Sequence, residues 1–171
     1  LMVGSFLNVV IHRLPIMMER AWHAEYSDYF GDGEATPPAT GRYNLMVPRS
    51  RCPHCDHPIG ALENIPLLSW LWLRGRCRNC HAPISARYPL VELLTALLSV
   101  SVAAALAPGW GTLAALLLTW TLVALTFIDL DKMLLPDQLT LPLLWGGLLF
   151  NLAGGFVPLA DGVVGAMAGY L

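Results

Sequence analysis

The feature that most constrains the fold is a run of 36 uncharged residues, from residue 93 to residue 128. As one helix it would be about 54 Å long at 1.5 Å per residue. That is too long for a single crossing of the ~30 Å hydrocarbon core of a bilayer. The sequence PGWG at residues 108–111 lies inside the run and is typical of a turn. The run therefore predicts two membrane spans, at about residues 89–107 and 112–128.

The composition agrees with a membrane protein. Only 13% of the residues are charged and 56% are hydrophobic, whereas soluble domains carry roughly 25% charged residues. A second uncharged run predicts a span at about residues 139–158, and Asp161 precedes a last one at 162–171. Residues 1–14 are typical of the end of a first span. Both ends of the chain lie in apolar runs, so we expect a fragment of a longer protein.

Residues 15–88 form the only part expected to be soluble. We expect a short amphipathic helix at residues 16–29, after the first span ends at Pro15, and then a loop at residues 31–41. Nine of the ten Lys and Arg residues lie at positions 13–87: Arg13, Arg20, Arg42, Arg49, Arg51, Arg74, Arg76, Arg78 and Arg87. Since positive charge stays on the cytoplasmic side of a membrane, we expect this segment in the cytoplasm. The net charge of −2 gives no indication of a nucleic-acid partner.

All four cysteines occur in two Cys-x-x-Cys pairs, which are Cys52 with Cys55 and Cys77 with Cys80. Two such pairs provide the four thiolates of a structural, tetrahedral zinc site. Disulfides or a redox pair are the alternatives, but a cytoplasmic location disfavours stable disulfides. Three histidines could substitute as ligands, although a full cysteine set makes this unnecessary: His54, His57 and His81. The predicted fold class is therefore an all-α polytopic membrane protein with a small cytoplasmic zinc-binding domain.

Three carboxylates lie between the uncharged runs, at Asp129, Asp131 and Asp137. An ionisable residue at the end of a span is by default a candidate functional residue. Asp129 suits one half of an acid pair that shares a proton, because the end of a span can shield it from water. Asp137 could either cap the next helix or act in catalysis. Asn8 is interpreted as a polar contact between helices rather than a site residue.

Several long motifs resemble the prepilin peptidases, the type IV leader peptidase family. They are GSFLNVVIHRLP (residues 4–15), PRSRCPHC (48–55), ENIPLLSW (63–70), ISARYPLVE (84–92), Asp129 and LPD (135–137). The resemblance implies an aspartic endopeptidase of the bacterial inner membrane that removes leaders from type IV prepilins and from type II secretion pseudopilins. It also implies N-methylation of the new N-terminus with S-adenosylmethionine as the donor.

The resemblance identifies Asp129 with the first catalytic aspartate of the family. It places the second in a Gly-x-Gly-Asp motif, which this sequence does not contain. We therefore expect the chain alone to be inactive as a peptidase. Two other functions stay open from the residues themselves: a zinc-stapled membrane scaffold, and a cation or proton transporter that uses Asp129. The pattern predicts neither the oligomeric state nor the residues that bind the methyl donor.

Overall fold

The computed structural model describes residues 1–31, 43–60, 63 and 65–170. The predicted loop at residues 31–41, apart from Gly31, lies outside these residues, as does Asn64 of the ENIPLLSW motif. Helices form most of the described chain, and no strand occurs in it. The helices are α1 Met2–Phe30, α2 Leu68–Trp72, α3 Arg87–Ala105, α4 Trp110–Lys132, α5 Asp137–Leu152 and α6 Leu159–Tyr170. The chain divides into two units, Leu1–Leu94 and Thr95–Leu171.

The helix end predicted at Pro15 is absent, because α1 continues through that residue to Phe30. A proline inside a helix removes one backbone hydrogen bond, so packing must offset that loss. Buried apolar side chains recur at helical spacing on both sides of the proline: Leu7, Val10, Ile11, Leu14 and Met18. Pro15 itself is fully buried. The continuous stripe favours one helix over the predicted pair, and α1 ends where Gly31 adopts a left-handed conformation (φ 60°).

The predicted turn at residues 108–111 is confirmed, since α3 ends at Ala105 and α4 begins at Trp110. Trp120 of α4 donates a hydrogen bond from Nε1 to Oγ of Ser99 in α3, at 2.9 Å. Among the described helices, α3 and α4 are long and apolar enough to cross a membrane. Only 22% of the apolar window in each is buried. A core helix of a soluble protein would bury more, so most of their apolar surface is left for another environment.

The range 139–158, where the sequence predicts a span, is not one continuous helix. Helix α5 runs from Asp137 to Leu152, and α6 begins at Leu159. The two glycines at 154 and 155 explain the break, because Gly154 takes φ 84° and Oδ1 of Asn151 accepts the backbone N–H groups of Phe156 and Val157. At 16 residues, α5 is about 24 Å long.

The polar contact between helices that we expected for Asn8 is confirmed. Its side-chain Nδ2 donates to the carbonyl oxygen of Tyr88 at 3.0 Å. Tyr88 lies in the first turn of α3. The hydrogen bond therefore links the N-terminal half of α1 to the start of α3.

Candidate functional site

The first cysteine pair lies in a tight backbone turn at residues 50–59. The N–H of Cys52 donates to the carbonyl of His57 at 3.0 Å, and the N–H of Asp56 donates back to Cys52 at 3.0 Å. Arg51 and Pro58 form an isolated bridge across the turn. Asp56 adopts a left-handed conformation (φ 53°) directly after Cys55. Within this turn Cys52 is buried and Cys55 is half-buried.

The second cysteine pair repeats this geometry 25 residues later. The N–H of Cys77 donates to Ala82 at 2.9 Å, and the N–H of His81 donates back to Cys77 at 3.0 Å. His81 takes the left-handed conformation (φ 56°) that Asp56 has in the first turn. The sequence carries this repeat as Arg-Cys-x-x-Cys-x-x-Pro-Ile at residues 51–59 and 76–84. The prediction from cysteine spacing did not include this repeat, although the flanking Arg and Pro-Ile residues are visible in the sequence.

The two turns bring all four sulfur atoms together, each within 4.8 Å of the others. Sγ of Cys52 is 3.7 Å from Sγ of Cys80, and Sγ of Cys55 is 4.0 Å from Sγ of Cys77. A tetrahedron with metal–sulfur distances of about 2.3 Å has sulfur–sulfur edges of about 3.8 Å. A disulfide needs about 2.05 Å, so the cysteines are free thiols. The cluster therefore fits a tetrahedral metal ion.

Backbone N–H groups polarise these sulfur atoms. The pKa of Cys77 is lowered to about 6, first by a hydrogen bond from the N–H of Cys80 and then by one from Asn79. The N–H of Ala82 also acts to lower the pKa of Cys80, yet burial and the three neighbouring thiols raise it to about 12. Ionised sulfur atoms this close repel one another. A bound cation would offset that repulsion.

Glu63 links the two cysteine turns from outside. Its carboxylate accepts the backbone N–H of Gly60 at 3.1 Å and lies 3.5 Å from Nη1 of Arg78. Nε2 of His57 is 3.8 Å away. The N–H of Gly60 is the largest cause that lowers the pKa of Glu63, followed by the charges of His57 and Arg78. No histidine belongs to the sulfur cluster in the described part of the chain, which agrees with a ligand set of cysteines alone.

The second turn also rests on Trp70. The indole Nε1 donates to the carbonyl of Ile84 at 3.2 Å. Gly75 lies beneath the ring with φ 67°, and a Cβ added there would be 2.9 Å from a ring carbon of Trp70. Glycine is required at this position by both its backbone conformation and the close approach of the ring.

A groove runs along α1 beside the segment 44–50. Arg13 is buried, and its guanidinium donates to the carbonyls of Asn44 at 2.9 Å and Pro48 at 2.6 Å. The groove, which we name the α1 groove, has a volume of about 420 Å³. Its lining residues are Val9, Arg13, Leu45, Met46, Pro48, Arg49, Ser50 and Ile59.

The carboxylates lie where α4 ends and α5 begins. Asp129 and Asp131 belong to the last turn of α4, which closes when Met133 (φ 48°) donates its N–H to the carbonyl of Asp129 at 2.8 Å. Asp137 is the first residue of α5, where Pro136 is the N-cap and no side chain makes a capping hydrogen bond. The capping alternative for Asp137 therefore gains no support. Asp129 is exposed, unlike the shielded position we expected. Among the described residues, the four cysteines form the cluster of three or more metal-ligand side chains, and Asp129 is not part of it.

Comparison with known proteins gives two family matches and a set of curated relatives. Residues 1–106 match the bacterial peptidase A24 N-terminal domain, and residues 116–171 match the type IV leader peptidase family. The whole chain is 82% identical to a prepilin leader peptidase/N-methyltransferase of Aeromonas hydrophila and covers 59% of it. Proteins of the same name in Stutzerimonas stutzeri and Dichelobacter nodosus are 56% and 55% identical, with 58% and 60% covered. The chain thus spans about three fifths of these relatives. No solved structure matches it.

Proposed function

The chain belongs to the prepilin peptidase (type IV leader peptidase) family, and on that premise we propose that it carries the first catalytic aspartate of a membrane endopeptidase. The substrates proposed are type IV prepilins and type II secretion pseudopilins, whose leaders would be cut at the cytoplasmic membrane face. Asp129 carries this proposal. It lies at the end of an apolar helix, inside the segment that matches the type IV leader peptidase family.

Peptide hydrolysis by carboxylates needs two acids in opposite protonation states. One removes a proton from the attacking water while the other donates a proton to the carbonyl oxygen. We propose that Asp129, in the last turn of α4, takes one of these two parts. The partner acid that the resemblance implies is absent from this sequence. We therefore propose that a segment of the whole protein outside residues 1–171 supplies it.

The catalytic role of Asp129 is tested with the whole protein in detergent and a prepilin as the substrate. Asp129→Asn keeps the size of the side chain but removes its ability to take a proton, so we expect cleavage to fall at least ~100-fold, the lower end of an acid–base contribution. Asp161→Asn is the matched control, because Asp161 also lies in a terminal turn, the first turn of α6. Cleavage by Asp129→Asn at the wild-type rate would remove Asp129 from the mechanism.

A multi-pass location in the inner membrane is part of the proposal. It is supported by α3 and α4, whose length suits a bilayer and whose apolar side chains are mostly exposed. Arg and Lys residues concentrate at positions 13–87 and Lys132, which favours a cytoplasmic location for both segments. With α3 and α4 as consecutive spans, Asp129 returns to that same side. Cysteine labelling at position 131 from outside intact cells should fail.

We assign zinc to the four-cysteine cluster as a structural ion. Four thiolates leave no open position for water or substrate, so the ion would stabilise the fold and take no part in peptide hydrolysis. Zinc binding would supply much of the folding free energy of this small region. Elemental analysis should find one zinc per chain, and Cys77→Ser should lower both the zinc content and the protein level. Full folding of Cys77→Ser without metal would exclude this role.

N-methylation is the second proposed activity, favoured by the name that the relatives share. We propose the α1 groove as the donor site, because its volume of about 420 Å³ lies within the range of ligand pockets, about 300–1,000 Å³. Arg49 and Ser50 could bind the amino-acid end of the donor, and Met46 and Ile59 could contact its apolar parts. The donor would supply an electrophilic methyl group to the pilin amine.

Donor binding can be separated from cleavage. Arg49→Gln should lower photo-cross-linking of S-adenosylmethionine and methylation of an already cleaved pilin, while prepilin cleavage stays at the wild-type rate. Asp129→Asn should show the opposite pattern. Equal cross-linking by Arg49→Gln and the wild type would exclude the α1 groove as the donor site.

The scaffold and transporter alternatives gain no support from the structure. Transport predicts further acids near the middle of the bilayer, yet α3 and α4 carry no charge between residues 93 and 128. Family membership favours the enzyme over a scaffold.

A further inference from the structure

Helix α2 presents an apolar face that no described residue covers. Leu68, Leu71 and Trp72 have the spacing i, i+3 and i+4, which places them on one side of a helix. Their exposed fractions are 63%, 64% and 82%. Large apolar side chains grouped in this way mark an interaction site. We name these three residues the α2 face.

The opposite side of α2 is fixed, so the orientation of the α2 face is built into the fold. Trp70 points away from it and donates to the carbonyl of Ile84. The N–H of Leu67, directly before the helix, donates to Oε2 of Glu92 at 2.8 Å. Glu92 is buried, and this hydrogen bond satisfies its carboxylate.

The hydrogen bond to Glu92 fixes the position of α2 along the length of α3. Glu92 lies five residues after Arg87, which is about 8 Å along α3. The uncharged run begins at the next residue, Leu93. Leu67 is therefore held at the level where α3 changes from polar to apolar, and this is the level of the membrane interface if α3 spans the bilayer.

Charge complementarity favours lipid as the occupant. Arg74 and Arg76 follow α2 directly and are exposed. Tryptophan and leucine beside arginine are typical of segments that insert shallowly between headgroups. Anionic phospholipids attract arginine near the membrane surface. A protein partner would not explain why α2 is tied to the apolar boundary of α3.

We propose that the α2 face inserts into the interface of the bilayer, with Arg74 and Arg76 directed to anionic phospholipid headgroups. The inference rests on the proposed membrane location of α3 and α4. It gives the region between the two cysteine turns a role that neither peptide cleavage nor metal binding requires.

The test uses the whole protein in vesicles of phosphatidylethanolamine and phosphatidylglycerol, with p-benzoylphenylalanine in place of Trp72. Illumination should produce lipid adducts that mass spectrometry detects. The same probe in place of Leu117, which is 59% exposed in α4, serves as the positive control. Tyr29 is 77% exposed near the C-terminal end of α1 and is the negative control. The probe at position 29 should give no lipid adduct. It lies about 26 Å along α1 from His12, the first ionisable side chain of that helix and the end of its apolar part.

The outcomes separate this inference from the membrane location. Lipid adducts at position 117 with none at 72, or cross-links from 72 to protein, would overturn the α2 proposal and leave the spans intact. No adduct at either position would overturn both. The double variant Arg74→Gln, Arg76→Gln should lower the adduct yield at position 72 by up to about 30-fold, the combined effect of two arginines near an anionic surface. This difference between the double variant and the wild type should disappear in vesicles without phosphatidylglycerol. The same difference in both vesicle types would exclude the role of charge.

Discussion

Replacement of Gly75 by alanine should weaken metal binding without touching a ligand. At φ 67° the new side chain is strained, which costs roughly 1–2 kcal/mol. Its Cβ would also meet a ring carbon of Trp70 at 2.9 Å. Moving that ring breaks the hydrogen bond from Trp70 to Ile84, a loss of about 1 kcal/mol.

The total of about 2–3 kcal/mol should appear as weaker metal affinity, because metal binding and folding are coupled in such small regions. A tenfold change corresponds to about 1.4 kcal/mol, so we expect zinc affinity to fall about 30-fold or more. Competition with a chromophoric chelator measures it in the whole protein. Gly31→Ala is the matched control, since Gly31 has nearly the same φ (60°) and no described residue lies within 4 Å of the added Cβ.

A double-mutant cycle isolates the ring contact. In a Trp70→Phe background the smaller ring lacks the carbon that Cβ would meet and the hydrogen bond to Ile84 is already lost, so Gly75→Ala should cost only the backbone strain. Wild-type zinc affinity in Gly75→Ala would refute the reasoning. An equal loss in Gly31→Ala would attribute the effect to general destabilisation.

Three further predictions concern the unit Leu1–Leu94. Glu63→Gln should lower the stability of the cysteine turns at pH 7. The folded-state pKa of Glu63 is lowered, so the stability lost in the variant should be complete above the ordinary glutamate pKa. It should vanish as the pH falls through the lowered pKa. Thermal unfolding over a series of pH values measures this stability difference. The same difference at every pH would contradict the prediction. Arg13→Lys should free the segment 44–48, since an ammonium cannot reproduce both hydrogen bonds to Asn44 and Pro48; limited proteolysis should detect faster cleavage there than in the control Arg49→Lys. Removing zinc with a strong chelator should abolish protection of Cys52 from alkylation, and alkylation at the same rate with and without chelator would contradict a metal-bound thiolate.

The two long helices and the cluster of four cysteines could be predicted because their signals are local. A 36-residue uncharged run with PGWG inside it permits little except two spans and a turn. Paired Cys-x-x-Cys motifs likewise carry their geometry in their spacing. These features do not depend on which distant residues pack against them.

The course of α1 through Pro15 could not be predicted, because it depends on packing. Local propensity predicts a helix end at proline, and only the buried stripe from Leu7 to Met18 overrides it. The hydrogen bonds from Arg13 to Asn44 and Pro48 cross more than thirty residues of sequence. No local pattern indicates such a contact.

The exposed position of Asp129 was also missed. We expected the end of a span to shield its carboxylate, whereas the described chain leaves it exposed at the last turn of α4. Shielding of a helix end needs other elements around it. In a chain that spans about three fifths of its relatives, those elements need not be present.

The placement of α2 between the two cysteine turns has a mechanical consequence. Cys55 and Cys77 are 22 positions apart, so an ion bound to both closes the intervening segment into a ring. A covalent closure of similar length removes about 3 kcal/mol of chain entropy from the unfolded state. A bound ion would thus restrain both ends of the segment that carries Trp72, and loss of the ion would remove this restraint. Metal supply to the cell would then govern how firmly that segment is held at the lipid surface.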